Sequence, residues 1–333
     1  MIVTPLFTGS QTPPQCPRRM GVLAGALVLT AGLLSPCNAA DITIDSGYIE
    51  NVSVSPDGRT IVAAIEGLGE MGQGYSTVRW WNWNETDSVW RFPGHHVGAF
   101  AWTADGSLLV GEWSEGRMPI ARWWRLGSGG VVQAACEGYP RGKGHVASPA
   151  RRDKENDELG YLGSNKLTGI ASITELASGQ VVTGGVDHSL AVWDGCTPTW
   201  LDAETCCLTD HPITVTARGK DFETSGEGVW QSEEGGYYKE VGLRRWSPSP
   251  WKAVPVKAPA VPAATTETKA QVEGMDCTAT IDALGHIVVV GTHPWKASIG
   301  ADDWQNLAAS RDCKTLAAAT DQRIVKITPP KSK

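Results

Sequence analysis

Beyond residue 40, apolar and polar residues alternate over short stretches along most of the chain. A period of two is that of a β-strand with one buried face, not the 3.6-residue period of a helix. The clearest stretch is Val52-Ser53-Val54-Ser55-Pro56-Asp57-Gly58-Arg59-Thr60-Ile61-Val62-Ala63, in which two alternating runs flank Asp-Gly. Glycine reaches positive φ without a Cβ clash, so this order predicts a hairpin. Phe100–Val110 repeats it around Asp105-Gly106, and Leu307–Ala317 does so with Cys313 in the glycine position. Weaker copies surround Ser178-Gly179 and Leu284-Gly285.

A second element follows these hairpins. Thr77–Asn82, Ile120–Arg125, Ser189–Asp194 and Gly242–Ser247 share one frame that ends on a tryptophan, and Arg323–Thr328 keeps the frame with isoleucine. The anchors at 81, 124, 193, 246 and 327 are 43, 69, 53 and 81 residues apart. A four-stranded propeller blade takes about 40–45 residues. The two long intervals each accommodate one further degenerate unit, near 133–165 and near 272–304. The count predicts an all-β fold, a single β-propeller of seven blades, each of four antiparallel strands. The last strand, Ile324–Ile327, is third in its unit, and Ile42-Thr43-Ile44 alternates so as to supply the missing outer strand and close the ring.

Gly184-Gly185-Val186-Asp187-His188-Ser189-Leu190-Ala191-Val192-Trp193-Asp194 resembles the end of a WD repeat. Gly94-His95 and Gly144-His145 resemble the dipeptide that opens such a repeat. The other units depart from the pattern at the final aspartate, which is Asn82, Arg125, Ser247 or Thr328. The resemblance is to a degenerate, exported WD-repeat propeller. It implies a structural hydrogen-bond network of Asp187, Ser189 and Trp193, and a module that binds other proteins.

The first forty residues change the picture of where this happens. Arg18-Arg19, an apolar run from Gly21 to Leu34, and Asn38-Ala39-Ala40 follow the order of a signal peptide, with cleavage after Ala40. The run has about 14 residues, short of the roughly 20 a spanning helix needs. The expected division is therefore a signal peptide over 1–40 and a propeller over 41–333. The product is periplasmic or secreted, with lipid attachment through Cys37 as a lesser alternative. Loss of Arg18 and Arg19 leaves 27 basic and 36 acidic side chains, a net charge of −9. An acidic surface repels phosphate backbones, which excludes nucleic acid as the natural partner. No second apolar stretch is long enough to cross a membrane as a helix.

Cys136, Cys196, Cys206, Cys207, Cys277 and Cys313 remain after cleavage. An even count in an exported chain points to disulfides, and six cysteines allow 15 pairings. Cys196 with Cys206 or Cys207, and Cys277 with Cys313, are the expected ones. No nucleophile elbow, phosphate loop, dinucleotide fingerprint or H-E-x-x-H motif occurs. His95-His96 reads as a solvated pair, since strand neighbours point to opposite faces. No catalytic residue, cofactor or metal ligand is assigned. Of fifteen tryptophans, Trp80, Trp83, Trp113, Trp123 and Trp251 fall off the anchor register and are candidate binding aromatics on a rim. The expected function is a monomeric, non-catalytic binding or scaffold module for an exported protein or a cell-envelope component. The alternative is a propeller enzyme using the central channel, either a quinone-dependent dehydrogenase with Cys206-Cys207 at its cofactor or a metal-assisted hydrolase.

Overall fold

A computed structural model describes residues 41–68, 74–82, 88–92, 96–115, 121–138, 167–185, 189–201, 213–232, 235–248, 250–256, 268–273 and 277–330. The described residues from 41 on belong to one compact unit. They form six four-stranded antiparallel blades. Blade 1 comprises β2 (Tyr48–Val54), β3 (Thr60–Leu68), β4 (Gly74–Asn82) and β5 (Ser88–Arg91). Blade 2 comprises β6 (His96–Trp102), β7 (Leu108–Glu115), β8 (Ala121–Leu126) and β9 (Val132–Gly138). Blade 3 comprises β10 (Leu167–Glu175), β11 (Val181–Gly185), β12 (Leu190–Asp194) and β13 (Thr197–Trp200). Blade 4 comprises β14 (Thr214–Arg218), β15 (Asp221–Ser232), β16 (Gly235–Ser247) and β17 (Lys252–Pro255). Blade 5 comprises β18 (Thr268–Glu273), β19 (Cys277–Asp282), β20 (His286–Gly291) and β21 (Trp295–Ser298).

Blade 6 draws on both ends of the described chain. Its strands β22 (Asn306–Ala309), β23 (Leu316–Ala319) and β24 (Arg323–Ile327) take β1 (Asp41–Thr43) as the fourth. Ile42 pairs with Ile324, and the Arg323 guanidinium holds Asp41 at 2.9 Å. The closure read from Ile42-Thr43-Ile44 is thus present. An edge that would otherwise stand open is covered.

The count differs from seven. The segment near 133–165 was expected to be a blade of its own. Its first residues form β9, the outer strand of blade 2, and residues 139–166 lie outside the described ones. The inner strand β10 pairs directly with β7 through Leu167–Gly169, which makes blades 2 and 3 neighbours. The degenerate unit near 272–304 is a blade, blade 5.

Asp57-Gly58 and Asp105-Gly106 form the turns between the first two strands of blades 1 and 2, as the alternation implies. In the first, Ser55 Oγ donates to Asp57 Oδ1 at 2.6 Å and accepts from the Thr60 N–H at 2.9 Å. Thr103 with Asp105, and Ser310 with Asp312, repeat the arrangement. Cys313 sits where the first two turns have glycine, at φ +51°, and it is the single non-glycine residue at positive φ among the described ones. The bond it forms with Cys277 accounts for a side chain at that position.

The anchors explain the ring. Trp81 lies in the apolar cluster between blades 6 and 1, Trp124 between 1 and 2, and Trp193 between 2 and 3. Trp246 lies between 3 and 4, and Ile327 between 5 and 6. Each plugs the interface with the preceding blade. The other face of the same strand is buried as well: Val62, Ala64, Val78 and Trp80 face blade 2 while Ile61, Ala63 and Trp81 face blade 6. A blade sandwiched between neighbours has no solvent face, and that corrects the rim assignment. Trp80 is 6 % exposed and Trp123 3 % exposed, so both are core. Trp251 is half-buried against Phe222, with ring centroids 5.3 Å apart. The side chains of Trp83 and Trp113 lie outside the described residues.

Candidate functional site

The inner strand β2 is irregular at its start. Ile49 pairs with Ile65 and Asn51 with Ala64, which leaves Glu50 as the extra residue of a β-bulge. Bulges recur at the same place in β6, β10 and β18, where the extra residue is Gly98, Ala171 or Lys269. A bulge re-aims one side chain and strengthens the local twist. In blade 1 the re-aimed side chain is a carboxylate.

Glu50 meets two partners. Its Oε2 accepts from Ser76 Oγ at 2.5 Å, and its Oε1 lies 3.3 Å from His96 Nδ1. Glu66, near the end of β3, pairs with Tyr48 on one side and Ser76 on the other. Its Oε2 accepts from the Tyr48 hydroxyl and lies 3.5 Å from the same His96 nitrogen. His96 opens β6, so the group joins three strands of blade 1 to blade 2. The Val97 N–H donates to Ser76 Oγ at 3.3 Å and fixes that hydroxyl from the blade 2 side.

Little water reaches these groups. The side chains of Glu50, Glu66 and His96 are 12 %, 10 % and 17 % exposed. Burial pushes the Glu50 carboxyl up to about 7, against the Ser76 hydroxyl bond and with the help of neighbouring Glu66. The Tyr48 hydroxyl is raised well above its usual range by desolvation and by the Glu66 carboxylate. Two carboxylate oxygens and an imidazole nitrogen within 4.8 Å of one another form a donor set able to hold a metal ion.

Beside this group a cleft of about 760 Å³ opens between blade 1 and the closing turn of blade 6. Tyr48, Glu66, Asp303 and Asp321 line it. Gly47 makes its wall possible: at φ +84°, a Cβ there would stand 2.2 Å from the Glu66 carbonyl oxygen.

The residues singled out from sequence are distributed elsewhere. Trp193 is fully buried, and its indole N–H donates to Thr183 Oγ1 at 2.9 Å. Ser189 is buried just before β12, and Asp187 lies outside the described residues. Trp246 repeats the bond with Thr224 at 3.0 Å. A lone threonine inside an apolar run, as in Val182-Thr183-Gly184, was the available signal for this partner. His96 is not the solvated residue expected of it, and His95 lies outside the described residues.

Cys277 pairs with Cys313 as expected. Cys196 pairs with Cys136, sixty residues away, and not with Cys206 or Cys207, which lie outside the described residues. The reason is spatial: the turn between β12 and β13 packs on outer strand β9, where the Cα atoms of Cys136 and Cys196 are 4.9 Å apart. Both bonds join one blade to the next.

No family model matches the chain, and no curated protein matches it. Among solved structures it is similar to a chain in the crystal structure of the mitotic checkpoint complex. The identity is 14 %, covering 93 % of this chain and 99 % of that one, with a TM-score of 0.41. It is also similar to the C-terminal WD40 domain of Sif2, at 14 % identity over 85 % of this chain and 82 % of that one, with a TM-score of 0.42.

Proposed function

We propose that residues 41–333 act, after export, as a monomeric, non-catalytic binding module that holds an exported protein or a cell-envelope component. The observation that carries this reading is the cleft at the ring closure. A tyrosine 44 % exposed stands there with three carboxylates, Glu66 of blade 1, Asp303 of the segment between blades 5 and 6, and Asp321 of blade 6. Tyrosine is enriched among residues that dominate binding energy, and a matched acidic surface speeds encounter with a basic partner. Such a cleft suits a lysine or arginine side chain on that partner. The frame around it supports the same reading: a closed ring and two disulfides between blades hold the cleft in one shape, which lowers the ordering cost of binding. Export is supported by the signal-like N-terminus and by the disulfides. Among the described residues no helix is long and apolar enough to cross a membrane.

The test compares residues 41–333 with the Tyr48→Ala and Asp321→Asn variants in affinity purification from the envelope fraction. The proposal expects one partner to be retained by the parent chain and lost from both variants and at raised salt. A partner retained equally by all three chains would place the contact elsewhere. Sedimentation of the purified chain checks the monomer.

A further inference from the structure

The buried glutamates of other blades face arginine. Arg122 contacts Glu112 at 3.0 Å, and Arg218 contacts Glu223 at 2.8 Å with Arg245 on its other oxygen. In blade 1 the arrangement differs. Glu50 and Glu66 are turned toward each other, and among the described residues the basic group facing them is the His96 imidazole. Two carboxylates withdrawn from water in one place are costly unless a positive charge is supplied between them.

We propose that Glu50, Glu66 and His96 form a binding site for one divalent transition-metal ion, with zinc the best fit, that clips blade 1 to blade 2. The donors are one imidazole nitrogen and two carboxylate oxygens, a set that suits zinc and its neighbours. Calcium and magnesium prefer oxygen alone. The spacing agrees. At zinc–ligand distances of about 2.0–2.1 Å, the ligands of a tetrahedron stand about 3.3 Å apart. His96 Nδ1 lies 3.3 Å from Glu50 Oε1 and 3.5 Å from Glu66 Oε2. Two of the three ligand pairs already stand near that spacing, and the two carboxylate oxygens lie within 4.8 Å of each other.

The surroundings orient the donors. Ser76 Oγ occupies the second oxygen of Glu50 and leaves Oε1 for the ion, while the Val97 N–H holds Ser76 in turn. Outer bonds of this kind fix the direction of metal ligands and typically change affinity about 10–100-fold when removed. Three protein ligands leave one tetrahedral position for water or for a group from outside, as in sites that act on or bind a ligand. Tyr48, bonded to Glu66 and lining the cleft, links the two places. The inference goes beyond the binding reading and does not rest on it.

Residues 41–333 are stripped with a chelator, titrated with zinc chloride by calorimetry, and assayed for metal by mass spectrometry after dialysis. One zinc per chain and a higher melting temperature are expected. His96→Ala and Glu50→Gln should each weaken binding at least about tenfold, and Ser76→Ala should weaken it about tenfold with the fold intact. A variant with Cys206 and Cys207 both changed to Ser should retain the ion. Substoichiometric zinc in the parent chain, or unchanged affinity in His96→Ala and Glu50→Gln, would overturn the proposal. Should those variants not fold, cobalt(II) loading of the parent chain decides: tetrahedral visible bands without a thiolate charge-transfer band support the site. Octahedral or thiolate bands refute it.

Discussion

Replacing Trp193 by alanine tests why the chain repeats a bulky anchor. The side chain is 0 % exposed, meets Trp123 and Trp200 edge-on at 6.0 and 5.9 Å, and donates to buried Thr183. Truncating a buried tryptophan costs about 3–5 kcal/mol through lost transfer energy and the cavity left behind. Stranding the Thr183 hydroxyl adds about 1–3 kcal/mol. The total, about 4–8 kcal/mol, is a large share of the about 5–15 kcal/mol that holds a typical domain. At about 2–4 °C per kcal/mol, a loss of about 6 kcal/mol should lower the melting temperature by about 12–24 °C. Urea unfolding followed by circular dichroism measures the change without relying on the emission of many tryptophans. Trp193→Phe and Thr183→Val, alone and together, isolate the hydrogen bond, and a coupling of about 1 kcal/mol is expected. Trp251→Ala, at a half-buried position, should cost clearly less than Trp193→Ala. If Trp193→Ala cost under about 1 kcal/mol, the idea that each anchor plugs the interface with the preceding blade would be wrong.

The turn aspartates predict an acid limit. Asp105 is held down at about 2 by the Thr103 hydroxyl and the Ser107 N–H, Asp57 is lowered by the Ser55 hydroxyl and the Arg59 N–H, and Asp312 is lowered although burial opposes it. Depressed carboxylates stabilise the fold fully above their unfolded values near about 4. That contribution should disappear as pH falls through the folded values, toward about 2 for Asp105. Asp105→Asn should flatten the fall in melting temperature over that window, and an unchanged pH profile would count against the turn bonds. At Cys313, both glycine and alanine break the bridge to Cys277, but only glycine accepts φ +51° freely. Cys313→Gly should therefore be more stable than Cys313→Ala by about 1 kcal/mol in thermal melts under one redox condition.

The hairpins and the closing strand were legible because each is local: alternation and Asp-Gly specify a hairpin within about a dozen residues, and Ile42-Thr43-Ile44 needs only an open edge to join. The blade count was not. Length between anchors overstates the number of blades, because the interval after Trp124 contains the outer strand β9 and the direct pairing of β10 with β7. Trp80 and Trp123 are core and not rim, because an off-register residue is exposed only when a sheet has a wet face, and these blades have none. The candidate site was nearly illegible. Glu50 and Glu66 are single charges within apolar strands, and they meet through a bulge and a cross-strand register that composition does not announce. His96 lies forty-six positions from Glu50 and reaches it only because blades 1 and 2 are neighbours. Thr183, by contrast, left a sign in its unusual place among apolar residues.

The propeller depends on the two ends of residues 41–333 meeting in one blade. A chain beginning at residue 47, measured beside one beginning at residue 41, examines this directly. Loss of β1 uncovers β24 and removes buried Ile44 and the Arg323–Asp41 ion pair. A melting temperature several degrees lower, with faster backbone hydrogen exchange along Arg323–Ile327, is the expected result; identical melting and unchanged protection of that strand would contradict the closed ring.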